Sequence, residues 1–224
     1  MLYHPTETLS HNYEKQIFDI NNQKIVTTVL NRGDKRAIIY FGGNAEIVDY
    51  NIPHFLEEFG DRTIFLFNYR GYSGSSGVPT EEALYQDALE IYDQIKSEYD
   101  SISLIGRSIG SGVATYLAAN RPIDKLVLVT PFDSIAKVAQ EIFPLYPMSL
   151  LMRDHYNSIE RVGLIEAKTM IIIAKDDTLV SYQRSQELAD SFPPKQVTVH
   201  IIEKATHNNI ANSHLYYQYL REFL

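Results

Sequence analysis

Cysteine is absent from the 224 residues. That excludes a disulfide framework, a thiolate zinc site and a cysteine nucleophile together. No apolar run reaches the roughly 18 residues that a membrane-spanning helix needs. The first stretch, MLYHPTETLSHNYEK, lacks a basic region followed by an apolar one, so a soluble, cytoplasmic protein is the expectation. Positive charge is scarce. Lys and Arg number 20 against 28 Asp and Glu, a formal net charge of −8, which argues against a nucleic-acid or anionic-membrane surface. Internal repeats, low-complexity tracts, clustered metal-ligand spacings and a phosphate-cradling glycine pattern are also missing. Neither a metal nor an organic cofactor is therefore expected.

What remains is an ordinary globular balance, 45% apolar and 21% charged, in a chain long enough to bury a sizeable core. The expectation is one domain over residues 1–224. QIFDI and KIVTTVL flank Asn21-Asn22-Gln23, which predicts an antiparallel N-terminal hairpin. RAIIYF (36–41), TIFLFN (63–68), SISLI (101–105), KLVLVT (125–130), TMIIIA (169–174) and VTVHII (197–202) follow. They are short, rich in β-branched residues and almost continuously apolar, as strands covered on both faces are. With the hairpin they predict an eight-stranded, mostly parallel sheet.

Helical stretches alternate with these runs. TEEALYQDALEIYDQIKSEY has Thr80 placed as N-cap and acidic residues in its first turn. Residues 109–119, 182–191 and 210–223 also read as helices, which gives a doubly wound α/β architecture. Residues 133–165 break the rhythm, with apolar side chains around Pro144 and Pro147. They are too long for one crossover helix and too apolar for a free loop, and read as short helices forming a small lid.

Sheets of this kind place ligands at the carboxyl ends of their strands. There, SISLI is followed by Gly106-Arg107-Ser108-Ile109-Gly110 and a helical run, a G-x-S-x-G in its required strand–turn–helix context. The glycines make room for a strained turn, and Ser108 becomes the candidate nucleophile. A serine hydroxyl needs a base, and the base needs an acid, in the chain order Ser, acid, His.

Of seven histidines, His4 and His11 precede the sheet, His54 and His214 fall in helices, His155 in the 133–165 segment and His200 inside the last strand. Only His207, in KATHNNI, lies in a polar loop after that strand, so it is the candidate base. The acid stays open among Asp176 and Asp177, adjacent in AKDDTLV, and Asp133 in TPFDS.

FGGNAE (41–46), NYRGYSGSSG (68–77), GRSIGSG (106–112), TPFDS (130–134), AKDDTLV (174–180) and KATHNNI (204–210) resemble, in order, the signature blocks of the α/β-hydrolase superfamily. The likeness is greatest to its small-lid serine hydrolases, which are esterase-, thioesterase- and lysophospholipase-like, and runs from about residue 16 to the C-terminus. The resemblance implies Ser108 as nucleophile, Asp177 as acid and His207 as base. It implies an oxyanion hole from the backbone N–H groups of Ile109 and Asn44, and a structural role for Arg70. The subgroup usually has His-Gly-Asn where this chain has Gly42-Gly43-Asn44, and that histidine normally braces the loop.

The expected activity is hydrolysis of a small-molecule carboxylic ester or thioester through an acyl-enzyme. A peptidase or amidase with the same triad, and an inactive hydrolase fold serving as a binding module, are the alternatives. Oligomeric state is not encoded in any feature above.

Overall fold

A computed structural model describes residues 2–224. After an extended arm, β1 (Glu14–Ile20) and β2 (Gln23–Leu30) pair antiparallel, from Glu14 opposite Val29 to Ile20 opposite Gln23. Asn21 and Asn22 join them at φ 51° and 61°, the left-handed pair a tight hairpin turn demands and asparagine tolerates.

Six further strands follow: β3 (Arg36–Phe41), β4 (Thr63–Phe67), β5 (Ser101–Arg107), β6 (Lys125–Val129), β7 (Lys168–Ala174) and β8 (Val197–Ile202). All eight form one sheet in the order β1-β2-β4-β3-β5-β6-β7-β8. Only the β1–β2 and β2–β4 pairings are antiparallel. The chain is thus an eight-stranded, mostly parallel sheet with an antiparallel N-terminal hairpin, as the sequence predicts.

The helices are α1 (Ile52–Glu58), α2 (Glu81–Ile95), α3 (Ile109–Asn120), α4 (Ile135–Ile142), α5 (Met148–Leu151), α6 (Tyr182–Ser191) and α7 (His214–Phe223). One buried cluster joins Ile39, Phe41 and Leu104 to α2, α3 and α6 through Leu84, Val113 and Leu188. The other joins Ile38, Tyr40 and Ile105 to α1 and α7 through Phe55 and Leu220. Successive strand residues therefore face different helices. Both faces are covered over β3–β7, which is why those strands read as apolar runs without alternation. VTVHII, read the same way, forms the edge strand β8 and is only partly covered, with Ile201 exposed.

Thr80 caps α2, its hydroxyl accepting the Ala83 N–H at 3.1 Å. The final helix differs from the expected 210–223. A short 3-10 turn covers Ile210–Asn212, and Ser213 is extended (φ −80°, ψ 131°), so the α-helix begins only at His214. The run SISLI also extends as strand to Arg107, which carries β5 directly onto Ser108.

Arg70, just beyond β4, forms a forked pair with Asp87 of α2 at 2.7 and 2.6 Å, the carboxylate having no exposed surface. Removing one member of a buried pair strands the other charge. Asp87→Ala is expected to lower unfolding free energy by about 3–5 kcal/mol in urea titration. A change under about 1 kcal/mol would show that Arg70 finds other partners.

Candidate active site

Ser108 sits where β5 turns into α3, at φ 52° and ψ −120°. A non-glycine residue there is strained, and the surroundings must hold it. Its N–H is donated to Val129 O at 2.9 Å, and its carbonyl accepts the Ser111 hydroxyl at 2.6 Å. The flanking glycines are dictated by contact. A Cβ on Gly106 would lie 2.5 Å from Gly110 O, and one on Gly110 would lie 2.1 Å from Phe41 O. Helix α3 thus starts against the end of β3. Gly110→Ala is expected to cost about 3 kcal/mol or more, because the conflict is with backbone. A thermal melt of the variant checks this, and an unchanged midpoint would refute the close approach.

His207 lies in the loop after β8. Its Nε2 is 2.8 Å from Ser108 Oγ and its Nδ1 is 2.7 Å from Asp177 Oδ2. The other Asp177 oxygen accepts the Leu179 and Val180 N–H groups at 2.9 and 2.8 Å. The Asp177 side chain is 2% exposed and that of His207 is 9% exposed. With Nδ1–H donated to the carboxylate, Nε2 is left to accept from the serine hydroxyl.

The rival residues go elsewhere. Asp176 is exposed, and its N–H bonds Ala205 O at 2.9 Å. Asp133 is fully buried, but it binds Lys137 and Arg184 at 2.7 and 3.1 Å and accepts the Ser134 N–H. It secures the start of α4. His11 pairs with Asp49, His54 stacks on Tyr217, and His155 reaches Met152 O. His200 stacks on Tyr219 at 3.8 Å, and burial holds its imidazole below the ordinary histidine range. His214 is the first residue of α7.

Phe41 and Gly106 are opposite one another in the β3–β5 register, so the loops leaving these two strands abut. Among the described residues, no protein acceptor takes the backbone N–H of Asn44 or of Ile109. The Asn44 side chain donates to Leu2 O at 2.6 Å and accepts the His4 N–H and Tyr72 hydroxyl at 3.0 and 2.7 Å. Tyr69 donates to Gly42 O at 2.7 Å. A Cβ on Gly42 would meet Val48 Cγ1 at 2.5 Å, so a side chain there requires Val48 to shift.

Two charged residues near the site escape a reading of the sequence. Glu46 Oε2 accepts the Gly43 N–H at 2.6 Å and lies 3.4 Å from an Arg107 nitrogen. Their signal is faint: opposite charges at the variable position before Ser108 and two residues past Asn44.

A cavity of about 670 Å³ opens at Ser108, Ile109 and Asn44. Ile135, Val138, Ile142, Phe143, Met148 and Leu151 from the segment containing α4 and α5 form an apolar wall, and Leu2 and His4 of the N-terminal arm close another side. Among the described residues, no group of three or more His, Asp or Glu converges as a metal site, and no helix is long and apolar enough to cross a membrane.

A family model described as the alpha/beta hydrolase fold matches residues 36–152, more than half the chain, and the protein belongs to that family. An uncharacterized protein of Mycobacterium tuberculosis is 37% identical over 142 residues, covering 61% of this chain and 50% of the relative. The chain thus spans about half that relative's length. An uncharacterized membrane protein of Saccharomyces cerevisiae is 28% identical over 218 residues, covering 93% of this chain and 74% of the relative. In fold, the chain is similar to an esterase of Pyrococcus furiosus, with TM-score 0.74 at 19% identity over 99% of this chain and 96% of that one.

Proposed function

We propose that the protein is a serine hydrolase cleaving a carboxylic ester or thioester, with Ser108 as nucleophile, His207 as base and Asp177 as acid. The observation that carries this is the unbroken relay from Asp177 Oδ2 to His207 at 2.7 Å and on to Ser108 Oγ at 2.8 Å. His207 Nε2 takes the hydroxyl proton as Oγ bonds to the carbonyl carbon, and Asp177 stabilises the imidazolium that forms. The carbonyl oxygen becomes an oxyanion held by the N–H groups of Ile109 and Asn44, each worth about a hundredfold to a thousandfold in rate. Collapse expels the alcohol or thiol, which leaves with the proton from His207. Water then attacks the acyl-serine with His207 again as base; the acyl C–Oγ bond breaks, the carboxylic acid leaves, and His207 returns the proton to Ser108 Oγ.

Residues 133–165 serve in this reading as a small lid whose apolar inner wall receives the acyl chain. Specificity for an apolar acyl part follows from that wall, and the similarity to an esterase fold agrees with an ester substrate.

A nitrophenyl ester series of increasing acyl length, run beside aminoacyl nitroanilides at neutral pH, tests the proposal. Turnover of esters is expected, with kcat/KM rising by up to about fourfold per methylene until the cavity is filled. Anilide cleavage without ester cleavage would make the protein an amidase. Inertness toward both would overturn the enzymatic reading.

A further inference from the structure

We propose that Glu46, held in place by Arg107, is a positioning residue for the oxyanion loop; this rests on the serine-hydrolase reading of Ser108. The Asn44 N–H belongs to the peptide unit whose carbonyl is Gly43 O. The backbone N–H of Glu46 holds that carbonyl at 3.3 Å. In a trans peptide the N–H points opposite the C=O, so fixing the carbonyl aims the Asn44 donor the other way. The Glu46 carboxylate accepts the Gly43 N–H at 2.6 Å and so fixes the preceding peptide as well. One residue clamps both peptide units around Gly43.

The clamp is itself clamped. Glu46 Oε1 accepts the Tyr40 hydroxyl at 2.7 Å and the Asn51 amide at 2.8 Å. Burial, with the Glu46 charge adding to it, pushes the Tyr40 phenol well above its ordinary range, so it stays a donor. Arg107 lies 3.4 Å from Oε2, with side-chain exposure of 16% against 13% for Glu46. The same guanidinium donates to His207 O at 3.1 Å. It therefore ties the oxyanion loop and the base loop to the residue immediately before Ser108. Gly42 has no side chain to brace the loop, and the carboxylate supplies the bracing from the other end of the loop.

Charge makes the pairing necessary. A lone carboxylate beside a forming oxyanion opposes the negative charge of the transition state, and Arg107 cancels it. Removing Arg107 alone is therefore more harmful than removing both charges.

The test compares wild type, Glu46→Gln, Arg107→Met and the double variant on one nitrophenyl ester and on its thiono analogue, whose sulfur is a poor hydrogen-bond acceptor. Fluorophosphonate labelling of wild-type Ser108 and thermal melts accompany it. Glu46→Gln is expected to lower kcat by about tenfold to a hundredfold with KM within about twofold, and to shrink the ester-to-thionoester rate ratio by a similar factor. Arg107→Met is expected to lose more, and the double variant to regain at least about threefold over it. Should Glu46→Gln not fold, Glu46→Asp keeps the charge but retracts the carboxylate by one bond, and the same kcat loss and ratio change are expected.

Unchanged kcat, or a loss confined to KM with the thiono ratio intact, overturns the positioning role while wild-type labelling leaves Ser108 standing. A wild type that neither labels nor turns over any ester removes the reading of Ser108, and this role with it.

Discussion

Ser108→Ala is expected to abolish ester hydrolysis to within a residual rate, a loss of about 10⁶-fold in kcat, while the protein stays folded. Labelling by a fluorophosphonate probe, complete in wild type, is expected to vanish in the variant. The size of the loss follows from mechanism. Without Oγ there is no acyl-enzyme, and His207 and Asp177 have nothing to activate except water, held in a geometry built for serine. What survives is the contribution of the backbone donors and of binding. Stability is expected to remain within about 0.5 kcal/mol, because alanine accepts the φ of 52° about as poorly as serine does, and the backbone bonds of residue 108 are untouched. A variant that still labels, or that still hydrolyses ester at a tenth of the wild-type rate, would place the nucleophile elsewhere.

Asp177→Asn is expected to reduce kcat by about 10⁴-fold with little effect on KM. The reason is a proton in the wrong place. Oδ1 of residue 177 accepts two backbone N–H groups, from Leu179 and Val180, so the new amide must keep its oxygen there and turn its NH₂ toward His207. Nδ1 then becomes an acceptor, the imidazole proton moves to Nε2, and the group facing Ser108 donates where it should accept. Asp176→Asn provides the contrast, since that carboxylate is exposed and the imidazole Nδ1 bonds Asp177 instead. It is expected to leave kcat within about twofold. If the two variants exchanged effects, residue 176 and not 177 would be the acid.

How much of this was legible in the amino-acid sequence differs by residue. The parallel strands announce themselves because Ile38 and Ile39 face different buried clusters, and a doubly covered strand cannot tolerate polar alternation. Ser108 is marked by glycines that contact forces upon the chain, and His207 by being the histidine in a polar loop after the last strand. Adjacent carboxylates are harder. Asp176 and Asp177 differ only in which side of a turn they face, and the N–H pair that orients Asp177 has no signature of its own. Asp133 has the position of a catalytic acid, at the end of a strand. Only the fold reveals Arg184, 51 positions away, as its partner. Glu46 and Arg107 are illegible for the same reason: they meet because β3 and β5 are neighbours in the sheet, which is a property of topology and not of either segment. The break at Ser213 is likewise a backbone choice that an amphipathic pattern hides.

The N-terminal arm carries a practical consequence. Its carbonyl at Leu2 and its N–H at His4 hold the Asn44 side chain, and both residues line the cavity. The carbonyls of Phe223 and Leu224 at the end of α7, by contrast, are held by Lys125, the first residue of β6, at the opposite rim of the sheet. Displacing Leu2 or His4 from Asn44 therefore reshapes the mouth of the cavity directly.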